Sequence, residues 1–125
     1  MSPANAYRLH IYIKRPIRLE IGALGRHTLP SGTYIYTGSA RRNLEKRLER
    51  HCRKEKTKRW HIDYLTSHPA ATIAAIERLS GKECELNQDT KGYVLIPGFG
   101  ASDCRSGCGA HLKYVAAQGA AKHTR

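Results

Sequence analysis

Long apolar runs are missing from this sequence: no stretch approaches the roughly 20 consecutive apolar residues of a membrane-spanning helix. The first residues, MSPANAYRLHIYIKRP, alternate polar with apolar and lack the unbroken apolar segment of an export signal. A soluble, cytoplasmic protein with no membrane partner is expected. Acidic residues are also scarce, 10 Asp and Glu against 22 Lys and Arg, giving a formal net charge of +12. That imbalance points to polyanionic partners, with nucleic acid ahead of an anionic membrane surface. Paired CxxC motifs are absent. The four cysteines (Cys52, Cys84, Cys104, Cys108) are expected in a reducing compartment, which favours free thiols or metal ligation over disulfides. Neither an internal repeat nor a long linker interrupts the 125 residues. One domain over 1–125 is expected, with its core at about 5–115 and a frayed tail at 116–125.

What is present is patterned. In YRLHIYI, Tyr7, Leu9, Ile11 and Ile13 fall on one side and Arg8, His10 and Tyr12 on the other, the period of a strand. Ile17, Leu19 and Ile21 alternate in the same way before a Gly22 to Gly25 turn, which predicts a second strand or short hairpin. After the turn signal Leu29-Pro30-Ser31-Gly32, the β-branched and aromatic run Thr33 to Thr37 predicts a third strand, ended by Gly38. From Ser39 the period changes. Leu44, Leu48 and Cys52 recur every four residues, predicting an amphipathic helix over about 40–55 with Arg47 and His51 at the edge of its buried face.

That helix lies in a run of ten basic residues between Arg41 and Arg59, opposed by Glu45, Glu49 and Glu55. Ion pairs at i,i+4 (Arg41 with Glu45, Glu49 with Arg53) account for part of the run, and the surplus suits phosphate contact through Arg41, Arg42, Lys46 and Arg50. Downstream, a short helix is predicted at Trp60 to Ser67, with Trp60, Tyr64 and either Ile62 or Leu65 inward. A strand is expected at Thr72 to Glu77. Ser80 and Glu83 have the S-x-x-E spacing of a capping box, predicting a helix from Ser80 to about Asp89. A strand at Tyr93 to Ile96, a tight turn at Pro97 to Gly100 and a last short strand at His111 to Val115 complete the reading.

Taken in order, Asn5-Ala6-Tyr7, YIYTGSA, RLERHCRKEK, WHIDYL, ECEL and PGFGASDC followed by HL resemble a stand-alone, uncharacterised branch of the GIY-YIG nuclease superfamily, over about residues 5–115. The resemblance implies a small α/β (α+β) domain, with a central antiparallel sheet of about three strands flanked by helices. To this the present chain adds a hairpin between its motif tyrosines and a Cys/His-bearing C-terminal segment. It further implies a metal-dependent endonuclease that hydrolyses phosphodiester bonds in DNA, RNA not excluded, with one Mg2+ or Mn2+ ion. Tyr7 and Tyr36 match the two family tyrosines, and Arg47 the family arginine, whose planar fork suits bidentate contact with a phosphate. An unperturbed phenol, with a pKa near 10, is a poor base at neutral pH and needs help. His51 is placed to hold a tyrosine hydroxyl or share its proton, and His61 is a further catalytic candidate. The family glutamate that binds metal corresponds to Glu83 or Glu85. Glu83 is preferred for its spacing to Leu86, although a capping box would give it a structural task. The chain departs from the motifs at Asn5, Ala6 and Thr37.

Cys84, Cys104, Cys108 and His111 have separations that could hold zinc, although their spacing is irregular and free thiols are the plainer reading. Two further functions therefore stand beside the nuclease: a nucleic-acid-binding module that does not cut, and a zinc-stabilised interaction domain.

Overall fold

The computed structural model describes residues 4–40, 42–100 and 110–117. The period-two pattern at the start forms β1 (Ala6–Ile13), which buries Tyr7, Leu9, Ile11 and Ile13. The next alternation forms β2 (Ile17–Glu20), paired with β3 (Arg26–Leu29) across a single 3-10 turn at Gly22–Leu24. This is the expected extra hairpin, and its Ile17, Leu19 and Leu29 reach into the core. β4 (Gly32–Ser39) extends to either side of the predicted strand and runs antiparallel to β1. Tyr7 lies opposite Gly38, Leu9 opposite Tyr36 and Ile11 opposite Tyr34. Directly opposed residues share a face, so Tyr7, Tyr34 and Tyr36 all point to one side of the sheet.

The basic helix α1 (Leu44–Cys52) is shorter than the predicted 40–55. Asn43 adopts a left-handed conformation (φ 57°), which helical backbone cannot pass through, and Arg53 is already extended. Leu48 and His51 are buried, whereas Cys52 is exposed rather than inward. Four-residue spacing drifts about 40° round a helix at each step, and the second step carries Cys52 out of the stripe. Glu45 pairs across to Arg78. α2 (His61–Thr66) buries both Ile62 and Leu65.

β5 (Ala71–Leu79) pairs with β1 along its length, two residues longer than predicted at its C-terminal end. α3 (Glu83–Asp89) begins three residues later than expected. No side chain caps it, and the predicted Ser80 box does not form because the Glu83 carboxylate is engaged elsewhere. Tyr93 to Ile96 is not a strand, since only Tyr93 bridges, to Tyr114. β6 (Leu112–Ala117) pairs with β4 and runs two residues into the expected tail; residues 118–125 lie outside those described. Among the described residues the result is a mixed α+β fold: a four-stranded antiparallel sheet in the order β5-β1-β4-β6, a two-stranded hairpin and three α-helices. Among the described residues no helix is long and apolar enough to cross a membrane.

Each helix ends on a lysine. The last carbonyls of a helix lack intrahelical donors and carry the negative end of its dipole. Lys56 Nζ donates to the carbonyls of Arg50 and His51 at the end of α1. Lys54 Nζ donates to the carbonyls of Thr66, the last residue of α2, and of His68 just beyond it, and also to that of Ala71. Lys113 Nζ donates to Asn87 and Thr90 at the end of α3.

Candidate active site

The site grows from one backbone requirement. The Tyr7 ring lies flat across Gly38, its opposite number on β4, and a Cβ at 38 would stand 2.5 Å from the Tyr7 Cζ and hydroxyl oxygen. Only glycine lets the ring take this position. From there the Tyr7 hydroxyl meets His51 Nε2 at 2.8 Å, and the two rings lie 5.3 Å apart. Tyr36, one step along the same sheet face, has its ring 6.5 Å from Tyr7 and 6.3 Å from His51. The turn over Pro97–Gly100 closes over it. Gly100 has φ +69°, and a Cβ there would sit 3.0 Å from the Tyr36 ring, while Phe99 packs edge-on at 6.2 Å.

Arg47 enters from α1, one turn before His51. Its Nη1 donates to the carbonyl of Ser39 at 2.7 Å, and its guanidinium stacks 4.7 Å from the centre of the Trp60 ring. Glu83, on the first turn of α3, completes the group. One carboxylate oxygen accepts the Ser39 hydroxyl at 2.5 Å, and the other lies 2.5 Å from His111 Nδ1. Tyr7, Tyr36, Arg47, Glu83 and His61 line one cleft of about 630 Å³.

Burial sets the protonation states. Tyr7 is pushed above the ordinary phenol range by burial, the Arg47 guanidinium pulling the other way, and Tyr36 is pushed up by burial and by Tyr7. His51 is pushed down to about 4, by burial first and then by the Lys56 charge, with Asp63 opposing and Arg47 and Arg50 reinforcing. The couple is thus a neutral phenol donating to a neutral imidazole. His51 Nδ1 is buried with no hydrogen-bond partner, so nothing among the described residues stabilises an imidazolium through it. Burial pushes Glu83 up, but the His111 and Ser39 hydrogen bonds outweigh it and hold the carboxyl below its usual range, ionised. His61 Nδ1 accepts the Gly100 N–H at 2.9 Å, which fixes the neutral ring with its proton on Nε2, and burial lowers its pKa in the same sense.

A family profile, domain of unknown function DUF123, matches residues 6–124. The chain belongs to the DUF123 family. Comparison with curated proteins and with solved structures returns no match.

In this DUF123 domain, Tyr7, Tyr36, Arg47, His51 and Glu83 come together across β1, β4, α1 and α3, and His61 stands at the same cleft. Glu85, the alternative ligand, points elsewhere, with its side chain 70% exposed beside Lys82. Arg42 and Lys46 are exposed and lie outside the cleft lining. Arg50 does not present its guanidinium for phosphate: it grips Asp63 with two hydrogen bonds, at 2.9 and 3.0 Å. Arg41, Cys104 and Cys108 lie outside the described residues. Of the expected zinc group, Cys84 lines the cleft and His111 is engaged by Glu83. Among the described residues, no group of three or more His, Cys, Asp or Glu could hold a metal ion. A single carboxylate nevertheless fits magnesium, which keeps waters and takes substrate oxygens. Each Glu83 oxygen has one hydrogen-bond partner and a further lone pair.

Sequence reasoning missed the support of this DUF123 site. Asp63 is fully buried and accepts from Arg50 and from the backbone N–H groups of Arg59 and Trp60. Burial pushes its carboxyl up, but those hydrogen bonds prevail and keep it ionised. Through Trp60, it sets the surface on which Arg47 stacks. The available signal was an acid three residues after Trp60, the position from which a carboxylate reaches back to a helix start. The roles of Ser39 and His111 in orienting Glu83 left no sequence signal of this kind.

Proposed function

We propose that this domain hydrolyses phosphodiester bonds in DNA, as the GIY-YIG nucleases it resembles do, with Mg2+ or Mn2+ on Glu83. The observation that carries the reading is the 2.8 Å contact of Tyr7 with His51, next to a guanidinium and an ionised carboxylate in one cleft. The bound ion would supply a Lewis acid for the phosphoryl oxygens and lower the pKa of a coordinated water. Ser39 and His111 hold the Glu83 carboxylate at a fixed angle for that ion.

The protein's own groups handle the proton and the anion. The Tyr7 oxygen takes a proton from the attacking water as its own proton passes to His51 Nε2, so no free phenolate is needed; the new P–O bond forms as the bond to the leaving oxygen breaks, and that alkoxide takes its proton from solvent. The phosphate charge opposes the burial and neighbouring cations that keep His51 unprotonated. Arg47, steadied by Trp60 and the Ser39 carbonyl, neutralises the phosphoryl oxygens, and His61 offers its Nε2–H as a neutral donor. Phosphate contacts carry no sequence information, so cutting is expected to be sequence-tolerant.

The test is incubation of labelled duplex, branched and single-stranded DNA, and of RNA, with and without magnesium. Wild type gives metal-dependent products, and Arg47→Ala lowers the rate on the order of 10²–10³-fold. Equal products from both proteins overturn the mechanism. Salt-sensitive binding without products from wild type would instead mark a binding module.

A further inference from the structure

Beside the cleft, a second hollow of about 430 Å³ is lined by Arg50, Arg53, Glu55, Lys56, Thr57 and Arg59. Arg59 lines both. The cations here divide into two kinds. Arg50 is bound to Asp63 and to the Thr57 carbonyl, and Lys56 caps α1. The side chains of Arg53 and Arg59 are exposed and make no hydrogen bond or ion pair among the described residues.

The segment that carries Arg59 is held unusually firmly for an exposed loop. Arg50 Nη2 donates to the Thr57 carbonyl at 2.6 Å, and Asp63 Oδ2 accepts the Arg59 and Trp60 N–H groups at 2.8 and 3.0 Å. A fully buried carboxylate and its bidentate guanidinium thus anchor both ends of residues 57–60. Burying such a pair is costly, and its effect here is to fix the main chain beneath a cation that projects to solvent. A rigid main chain, free guanidinium groups and continuity with the cleft together describe a path for a polyanion with regularly spaced charge.

We propose that this hollow is a second phosphate subsite, which takes backbone phosphates of the nucleic-acid strand leaving the cleft past Arg59. The proposal rests on the cleft reading and extends it: the substrate is a polynucleotide that continues beyond the scissile phosphate on the α1 C-terminal side, not a terminal nucleotide.

The test is binding of a fluorescein-labelled single-stranded 20-mer, followed by anisotropy over a salt series in EDTA, so the hollow is decided whether or not the cleft cuts. The proteins are wild type, the Arg53→Gln/Arg59→Gln double variant and a charge-matched control, Lys14→Gln/Arg18→Gln, at exposed positions that line neither the hollow nor the cleft. Each released phosphate contact lowers the slope of log affinity against log salt by about 0.7 for single strands. The expected result is a slope reduced by roughly 1.4 in the Arg53/Arg59 variant, with the control keeping the wild-type slope. An unchanged slope in the Arg53/Arg59 variant, or an equal reduction in the control, overturns the proposal. Circular dichroism on all three confirms that the comparison is between folded proteins.

Discussion

One sheet face carries two pairs of tyrosines with opposite fates. Tyr34 and Tyr114 face each other across β4 and β6 with ring centres 5.0 Å apart, and their hydroxyls donate to the carbonyls of Pro30 and Ser31. Tyr7 and Tyr36 lie 6.5 Å apart on β1 and β4, with the Tyr7 hydroxyl on an imidazole and both rings at a cleft. Burial raises the phenol pKa in Tyr34 as it does in Tyr7. A perturbed pKa therefore does not separate the two pairs. The hydrogen-bond partner does: a carbonyl can only keep a proton pointed at it, whereas an imidazole can take it away.

The widest expected gap between the pairs is catalytic. Tyr7→Phe keeps the ring on Gly38 and removes the proton path, so cleavage should fall on the order of 10²–10⁴-fold, while the buried His51 Nε2 left without its donor costs about 1–3 kcal/mol of stability. An undiminished rate, measured with labelled DNA, would break the comparison.

A second difference is in acid. His51 has an ordinary pKa of 6.5, lowered to about 4 in the fold. Between those values the unfolded chain binds a proton that the folded chain refuses. Stability is therefore lost as pH falls from about 6.5 to about 4, by about 3 kcal/mol from this group, and no further below. Urea unfolding of wild type and His51→Gln across pH 4–8 checks this. The variant should lose most of the slope in that window, with His61 and His68, whose pKa values are also lowered, leaving a remainder of the same sign.

The smallest effect belongs to the other pair. Tyr34→Phe removes a hydrogen bond whose acceptor lies on an exposed residue that water can reach, at a cost of about 1 kcal/mol. Cleavage should be unaffected, and the loss should be uniform from pH 4 to 8, since no titrating partner is involved. A pH-dependent loss would erase the distinction between the pairs.

The strands of this face were legible because alternation is a local signal. Tyr7, Leu9, Ile11 and Ile13 announce β1 without reference to anything distant. The same pattern could not separate Tyr34 from Tyr36, which share a strand and a face, because the rings around Tyr36 (Tyr7, His51 and Phe99) come from distant parts of the chain, whereas the Tyr34 hydroxyl bonds Pro30 close by. The boundaries of α1 were obscured by Asn43, whose left-handed backbone has no periodic signature. The Ser80 capping box failed because Ser39, 44 residues before Glu83, and His111 claim that carboxylate. Arg50 read as a phosphate ligand because a charge run does not reveal which members find a buried acid. The candidate cluster itself came from an ordered resemblance rather than from spacing, and Asp63, although it falls within WHIDYL, was given no role by it.

The lysines at the helix ends change the meaning of a composition of +12. Lys54, Lys56 and Lys113 each rest on the electronegative pole of a helix, so much of their field closes locally instead of radiating into solvent. The cations that no helix end or carboxylate engages, Arg53 and Arg59 among them, carry the longer-range field, and an approaching polyanion is oriented by them before it touches anything.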